Sequence, residues 1–138
     1  MAKHITKSNE DYLEAILMIR QQTGQCRSID VAFHLNVSKP SVSVAVANLE
    51  KMGLVVMEPT HELKLTRTGM RYAKRVLERH RLLTAVLEQL GVSGAIAEED
   101  ACRIEHDISQ ESYDALKAWH EGLTEREGAE PPQAPDEA

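Results

Sequence analysis

The chain has 138 residues, of which 42% are hydrophobic and 4% aromatic, so it suits one compact domain, or two small ones, with an aliphatic core. A membrane span of about 18 apolar residues is absent, and the segment Met1–Lys7 is not an apolar signal sequence, which predicts a cytoplasmic protein without a membrane partner. Cys26 and Cys102 are far apart in the chain, so no disulfide between them is expected.

The net charge of −6 is distributed unevenly. Residues 1–81 contain 13 Lys and Arg against 8 Asp and Glu, a net charge of +5, whereas residues 82–138 contain 3 against 14, a net charge of −11. The basic part can face phosphate groups, and the acidic part can hold cations or remain solvated. Residues 122–138, rich in Pro, Gly, Glu and Ala, are predicted to form a disordered acidic tail.

The first predicted helix begins at Ser8, a good N-cap residue followed by acidic residues, and reaches Gln22 before Thr23-Gly24 ends it. Asp11 and Glu14 are spaced i, i+3 in this helix, so their carboxylates point the same way. Acidic residues in a first turn usually interact only with the helix dipole. By themselves these two residues therefore predict no ligand role.

A helix-turn-helix pattern comes next. A short helix over Ser28–Leu35, capped by Ser28, is followed by Asn36, which tolerates the left-handed conformation of a tight turn. A second helix is predicted from Ser41 to Met52, with Ser38 as its N-cap and Gly53 as its stop. A plain helical hairpin is the alternative. The exposed face of the second helix is predicted to contact a DNA major groove through Ser38, Lys39, Pro40, Ser41, Ser43, Val44 and Asn48.

Two short strands, Leu54–Met57 and Leu63–Thr66, flank a turn at Glu58–Glu62 and predict a β-hairpin. A hairpin directly after a recognition helix forms a winged helix, although it can also be a purely structural flap. The tip of this hairpin carries two glutamates and no Lys or Arg. Phosphate contacts are therefore expected from Lys64 and Arg67, nearer its base.

A long helix is predicted from Thr66 or Thr68 to Leu90, with Gly91 after its end. His80 lies on the apolar stripe of this helix. A lone histidine in such a position is more often a core residue than a ligand.

The following helix, predicted to open at residues 98–100, brings Cys102, Glu105 and His106 onto one face, because they are spaced i, i+3 and i+4. Thiolate, carboxylate and imidazole are ligands of transition metals. A buried cysteine beside an exposed charge pair is the alternative, and the metal interpretation is favoured. Three ligands rarely complete a site, so partners are expected from His80 or from the first helix. A last helix starts at Ser109.

The chain resembles the diphtheria toxin repressor and manganese transport regulator family of metal-dependent repressors over residues 7–120. The segments that carry this resemblance are Ser8–Glu14, Val37–Ser43, Gly53–Val55, Leu65–Gly69, Arg79–Leu83 and Ala101–His106. The resemblance implies a mainly α fold, with a winged helix-turn-helix over residues 1–70 followed by an all-helical metal-binding and dimerisation domain over 71–121. It also implies a homodimer that binds a palindromic DNA operator when metal is bound and represses metal-uptake genes, with no enzymatic activity.

The resemblance further implies the metal ligands Asp11, Glu14, His80, Cys102, Glu105 and His106. All of these residues except Cys102 correspond to ligand positions of the manganese branch. At the position of Cys102 the manganese branch has a glutamate, and the cysteine of this chain resembles the iron branch. Carboxylates suit Mn²⁺ and a thiolate favours later or softer ions, so one or two ions of Mn²⁺ or Fe²⁺ per subunit are expected. The chain stops where larger iron-responsive members continue into an SH3-like domain, and in this respect it resembles the shorter manganese-responsive members.

Two other functions remain compatible with the sequence. The first is a winged-helix regulator that responds to a small organic ligand, with His80 and Cys102 merely packed in its core. The second is a small metalloenzyme with Glu105 as its base. A structural zinc module fits less well, because only one cysteine belongs to the cluster.

Overall fold

The computed structural model describes residues 5–128, apart from the side chains of Thr124 and of residues 126–128. In chain order the described elements are α1 (Lys7–Thr23), α2 (Ser28–Leu35), α3 (Lys39–Lys51), β1 (Val55–Met57), β2 (Leu63–Leu65), α4 (Arg67–Gln89), α5 (Gly94–Ile104) and α6 (Gln110–Gly128). The chain divides into two compact units at the Glu78–Arg79 bond, which lies within α4. The predicted class is confirmed: a winged helix-turn-helix precedes a helical second unit.

The start of α1 differs from the prediction. The N-cap is Thr6, whose Oγ1 accepts a hydrogen bond from the Asn9 amide at 3.2 Å, so Ser8 lies inside the helix. Ile5, just before the cap, is buried in the core of the first unit and fixes where the chain enters the helix. The helix ends as predicted at Gly24, whose φ of +82° is a conformation that favours glycine.

The helix-turn-helix is confirmed, with one shifted cap. Ser28 is the first residue of α2 and not its cap, because the cap is Arg27, whose amide donates to Asp30 Oδ2 at 2.9 Å. Asn36 takes the predicted left-handed conformation, with φ of +54°. Ser38 is the N-cap of α3 as predicted, but the helix begins at residue 39, two residues earlier than expected.

The wing is an antiparallel hairpin in which Val55 pairs with Leu65 and Met57 with Leu63. Its strands are each one residue shorter than predicted. Apolar residues of the first four helices and of both strands form the core of the first unit, and its fully buried members include Leu13, Ile16, Val31, Val42, Leu49 and Leu63. This core fixes the position of α3 while leaving one of its faces in solvent.

In the second unit, α5 begins four residues before the predicted start and ends earlier than expected. Burial of Ala97 and Ala101 stabilises the helix from Gly94 onward. This is an effect of tertiary packing, which the acidic residues at positions 98–100 do not indicate. Glu105 is the C-cap, and its amide still donates to the Ala101 carbonyl at 2.9 Å. The three clustered residues therefore do not share one helix: His106 lies in the turn that follows α5.

The last helix starts as predicted, since Ser109 Oγ accepts a hydrogen bond from the Ser112 amide at 3.1 Å. It extends to Gly128, so residues 122–128, predicted to belong to a disordered tail, are helical. Residues 129–138 of that predicted tail lie outside the described residues. Across the described range, no helix combines the length and the hydropathy that a membrane crossing needs.

Candidate metal centre and DNA-binding surface

Glu105 is the central residue of a buried polar cluster in the second unit. Only 1% of its surface is exposed, and its Oε2 lies 2.8 Å from His80 Nδ1. Its Oε1 lies 3.3 Å from His106 Nε2. One carboxylate thus faces two imidazoles, one from α4 and one from the turn after α5. The structure therefore brings His80 into the cluster, although its position on the apolar stripe was more typical of a core residue.

Cys102 lies next to the same carboxylate. The ligand atoms of Cys102, Glu105 and His106 are within 4.8 Å of one another. Cys102 is half-buried, whereas the side chain of His106 is only 2% exposed. Four of the six predicted metal ligands are thus gathered in the second unit, and Glu105 lies near each of the other three.

Glu98 is a neighbour of this cluster that sequence reasoning treated only as a helix-opening residue. Its Oε1 lies 3.8 Å from His80 Nε2, on the side opposite Glu105. The spacing of four residues between Glu98 and Cys102 within one helix was the signal that could have found it. The hydrogen bond to Glu105 raises the pKa of His80, against the opposing effect of burial, and Glu98 acts in the same direction as Glu105.

The cluster has the chemistry of a divalent metal site. Glu105 Oε1 is buried and accepts no hydrogen bond from the described residues. A buried carboxylate oxygen without a donor is unfavourable unless a cation satisfies it. Thiolate, carboxylate and imidazole together are the ligands of first-row divalent ions. The residues present therefore fit such an ion.

Asp11 and Glu14 belong to α1 in the first unit, one helical turn apart. Glu14 is buried with 8% of its surface exposed, and Asp11 is half-buried. The acidic residue in the first turn of α1 is Glu10, so both carboxylates lie beyond that turn and the helix dipole does not account for a buried glutamate. Their part in binding metal remains a prediction.

The two cysteines are expected to differ in reactivity. Cys26 is fully buried, and burial, followed by the negative charge of Asp30, raises the pKa of its thiol to about 12. Because the thiolate is the reactive form, iodoacetamide at neutral pH should modify half-buried Cys102 and leave Cys26 intact in the folded protein. Peptide mass spectrometry measures both sites, and urea-unfolded protein, in which both react, is the control. Equal rates in the folded protein would contradict this prediction.

All of the predicted DNA-contacting residues of α3 and its cap are exposed: Ser38, Lys39, Pro40, Ser41, Ser43, Val44 and Asn48. An open cleft of about 750 Å³ lies along this face, between α3 and the start of α1. Arg67 is exposed as well, while Lys64 is exposed with its Nζ 3.6 Å from Glu58 Oε1. Glu58 therefore partly neutralises the charge of Lys64, which leaves Arg67 as the stronger phosphate candidate of the two.

A winged helix with an exposed second helix, followed by a helical unit with a buried cluster of potential metal ligands, is the arrangement of a metal-dependent DNA-binding regulator. Residues 4–63 match the family model of the iron dependent repressor N-terminal DNA binding domain. Residues 66–131 match that of the iron dependent repressor metal binding and dimerisation domain. The chain belongs to this iron-dependent repressor family, and it is a metal-dependent transcriptional repressor.

Known relatives agree with this assignment. The chain is 37% identical over 120 residues to the transcriptional regulator MntR of Escherichia coli O6:H1, covering 87% of this chain and 75% of the relative. It is 37% identical over 111 residues to the HTH-type transcriptional regulator MntR of Shouchella clausii, covering 80% and 78%. The relatives are transcriptional regulators and the matched C-terminal family model is a metal binding domain, so neither the metalloenzyme nor the sensor of an organic ligand gains support.

A solved structure described as a manganese-dependent transcriptional repressor complex with manganese has the same fold, with a TM-score of 0.72 and 28% sequence identity. The match covers 80% of this chain but 51% of that protein, so the chain spans about half the length of this solved relative.

Proposed function

We propose that this repressor binds Mn²⁺ or Fe²⁺ through His80, Cys102, Glu105 and His106, and that bound metal enables a homodimer to bind a palindromic operator of metal-uptake genes. The observation that carries this proposal is the buried Glu105 carboxylate, which faces two imidazoles and has one oxygen without a hydrogen-bond donor among the described residues. A divalent cation supplies the positive charge and the ligand bonds that such a group requires.

Asp11 and Glu14 are proposed as the remaining ligands, because they stand at ligand positions of the family that the chain resembles. Their i, i+3 spacing on α1 and the burial of Glu14 support this part of the proposal. Metal then acts by favouring the DNA-binding conformations of the dimer over others, without itself touching DNA. The number of ions per subunit, one or two, is part of the same proposal.

Residues of the chain orient the metal ligands and contact the DNA. Glu105 orients both imidazoles, and Cys102 adds a softer ligand at the less buried edge of the cluster. The exposed face of α3 presents hydroxyl, amide and apolar groups that suit base edges and thymine methyl groups in a major groove. Recognition helices of a dimer that reads a palindrome are separated by about 34 Å, one turn of DNA.

The function is tested by fluorescence anisotropy of a labelled promoter fragment, taken from beside the gene of this protein, at fixed salt. We expect no binding in chelator and tight binding with either Mn²⁺ or anaerobic Fe²⁺, while Zn²⁺ serves as the comparison ion. The order of the ions identifies the effector. Equal binding with chelator and with metal would refute a metal-activated repressor.

The identity of the ion is expected to depend on Cys102. A solved relative is a manganese-dependent transcriptional repressor, whereas a thiolate ligand shifts affinity towards Fe²⁺. Cys102→Glu should therefore move the preference towards Mn²⁺ in a competition titration, and Cys26→Ser is the matched control that should leave it unchanged. Unaltered selectivity of the Cys102 variant would show that this thiol is not a ligand.

A further inference from the structure

Arg79 precedes His80 on α4 and is buried, with 6% of its surface exposed. Its Nη1 donates to the main-chain carbonyls of Glu105 at 3.3 Å and Ile108 at 2.9 Å. Its Nη2 donates to Gln110 Oε1 at 2.9 Å, and the guanidinium carbon lies 5.4 Å from the centre of the Tyr113 ring. One side chain thus contacts the turn after α5 and the first residues of α6.

These contacts suit the physics of that turn. The Glu105 carbonyl lies at the end of α5, where carbonyl groups lack intrahelical donors and the helix dipole is negative, so a cation beside it is favourable. A guanidinium group presents several N–H donors in a rigid plane, which lets one residue bond to three separate acceptors. Burying this charge is costly, and the three hydrogen bonds and the Tyr113 ring offset that cost.

Glu105 is therefore held from two sides by consecutive residues of α4. His80 Nδ1 contacts its carboxylate at 2.8 Å, and Arg79 Nη1 donates to its main-chain carbonyl at 3.3 Å. The short turn that carries Glu105 also carries His106, so whatever fixes its backbone fixes two of the clustered side chains. Helical spacing from Val76 and Leu83, at i−3 and i+4, places Arg79 on the buried side of α4.

We propose that Arg79 is a positioning residue of the metal centre: it fixes the backbone of residues 105–108 so that Glu105 and His106 are preorganised for the ion. This inference rests on the proposed function, because it assumes that these two residues bind metal. Preorganised ligands bind an ion without first having to order the turn, and partners outside the ligand shell contribute strongly to metal affinity.

The test uses the full-length chain and Arg79→Met, which keeps the apolar stem and removes the donors. We expect the Kd for Mn²⁺, measured by competition with a fluorescent chelator, to rise about 10- to 100-fold. In metal-free protein, amide hydrogen exchange at residues 105–108 should accelerate. Arg79→Lys should fall between the wild type and Arg79→Met, because an ammonium cannot reproduce the planar set of donors.

Val86→Ala is the matched control, because Val86 is buried on the same helix and its truncation destabilises the unit without removing a donor from the turn. Its Kd and its exchange rates at residues 105–108 should match the wild type. Equal Mn²⁺ affinity of wild type and Arg79→Met, or an equal loss in Val86→Ala, would overturn the proposed role of Arg79. Failure of the wild type itself to bind metal would instead overturn the proposed function, and the Arg79 role with it.

Gln110→Ala keeps the inference testable if Arg79→Met does not fold. Gln110 is exposed, and its loss removes one of the acceptors that hold the guanidinium in place. We expect a smaller rise in Kd in the same direction. An unchanged Kd for Gln110→Ala, beside an unfolded Arg79→Met, would count against positioning and show that Arg79 serves stability alone.

Discussion

Glu105→Gln is expected to abolish metal-dependent operator binding while the chain remains folded. Glutamine keeps the size of the side chain but loses the negative charge that faces both imidazoles of the cluster. A residue that binds the ion directly contributes at least as much to metal affinity as the residues that orient it. Metal affinity should therefore fall at least about 100-fold. Operator binding at a fixed concentration of Mn²⁺ should then resemble that of the chelated wild type.

Two measurements separate this result from a folding defect. Circular dichroism should show unchanged helix content, and anisotropy titrations with Mn²⁺ and Fe²⁺ report operator binding. Glu99→Gln is the matched control, because it makes the same substitution on α5 at an exposed residue, whose ion pair with Arg103 at 2.9 Å contributes little. Normal metal-dependent binding by Glu105→Gln would remove this carboxylate from the metal centre.

Gly69→Ala is expected to destabilise the first unit by about 3 kcal/mol or more, at the upper end of the cost of overpacking. A Cβ atom at this position would lie 1.9 Å from the Leu54 carbonyl oxygen and 2.9 Å from its carbonyl carbon. Both are backbone atoms, so no flexible side chain can move aside. The Leu54 carbonyl also accepts the Thr66 amide at 3.0 Å, so shifting it breaks a hydrogen bond at the start of α4.

Gly122→Ala is the control for this prediction. Gly122 lies in α6, and a Cβ there meets no atom of the described residues within 4 Å. Alanine is the better helix former, so this variant should be stabilised by up to about 1 kcal/mol. Urea denaturation followed by circular dichroism measures both variants. If the urea midpoint of Gly69→Ala equals that of the wild type, the backbone around residue 54 has room for a Cβ atom and the prediction is wrong.

Local sequence signals predicted much of the first unit. Ser38 caps α3, Asn36 takes the left-handed turn conformation, and the hairpin follows at its predicted place. These features depend on interactions within a few residues, which a sequence displays directly. The caps of α1 and α2 were misassigned by one or two residues, because several polar residues there can cap and the burial of Ile5 decided the entry of α1.

The sequence by itself determined the types of ligand available and the exposed face of α3, because helical spacing places residues on faces whatever surrounds the helix. Only the tertiary structure decided that His80 joins the cluster, that Glu98 stands beside it and that α5 ends before His106. It also placed the Arg79 guanidinium on the turn of residues 105–108. These contacts join residues that are 18 to 29 positions apart in the sequence. They depend on burial and on packing between helices, and local propensity does not determine them.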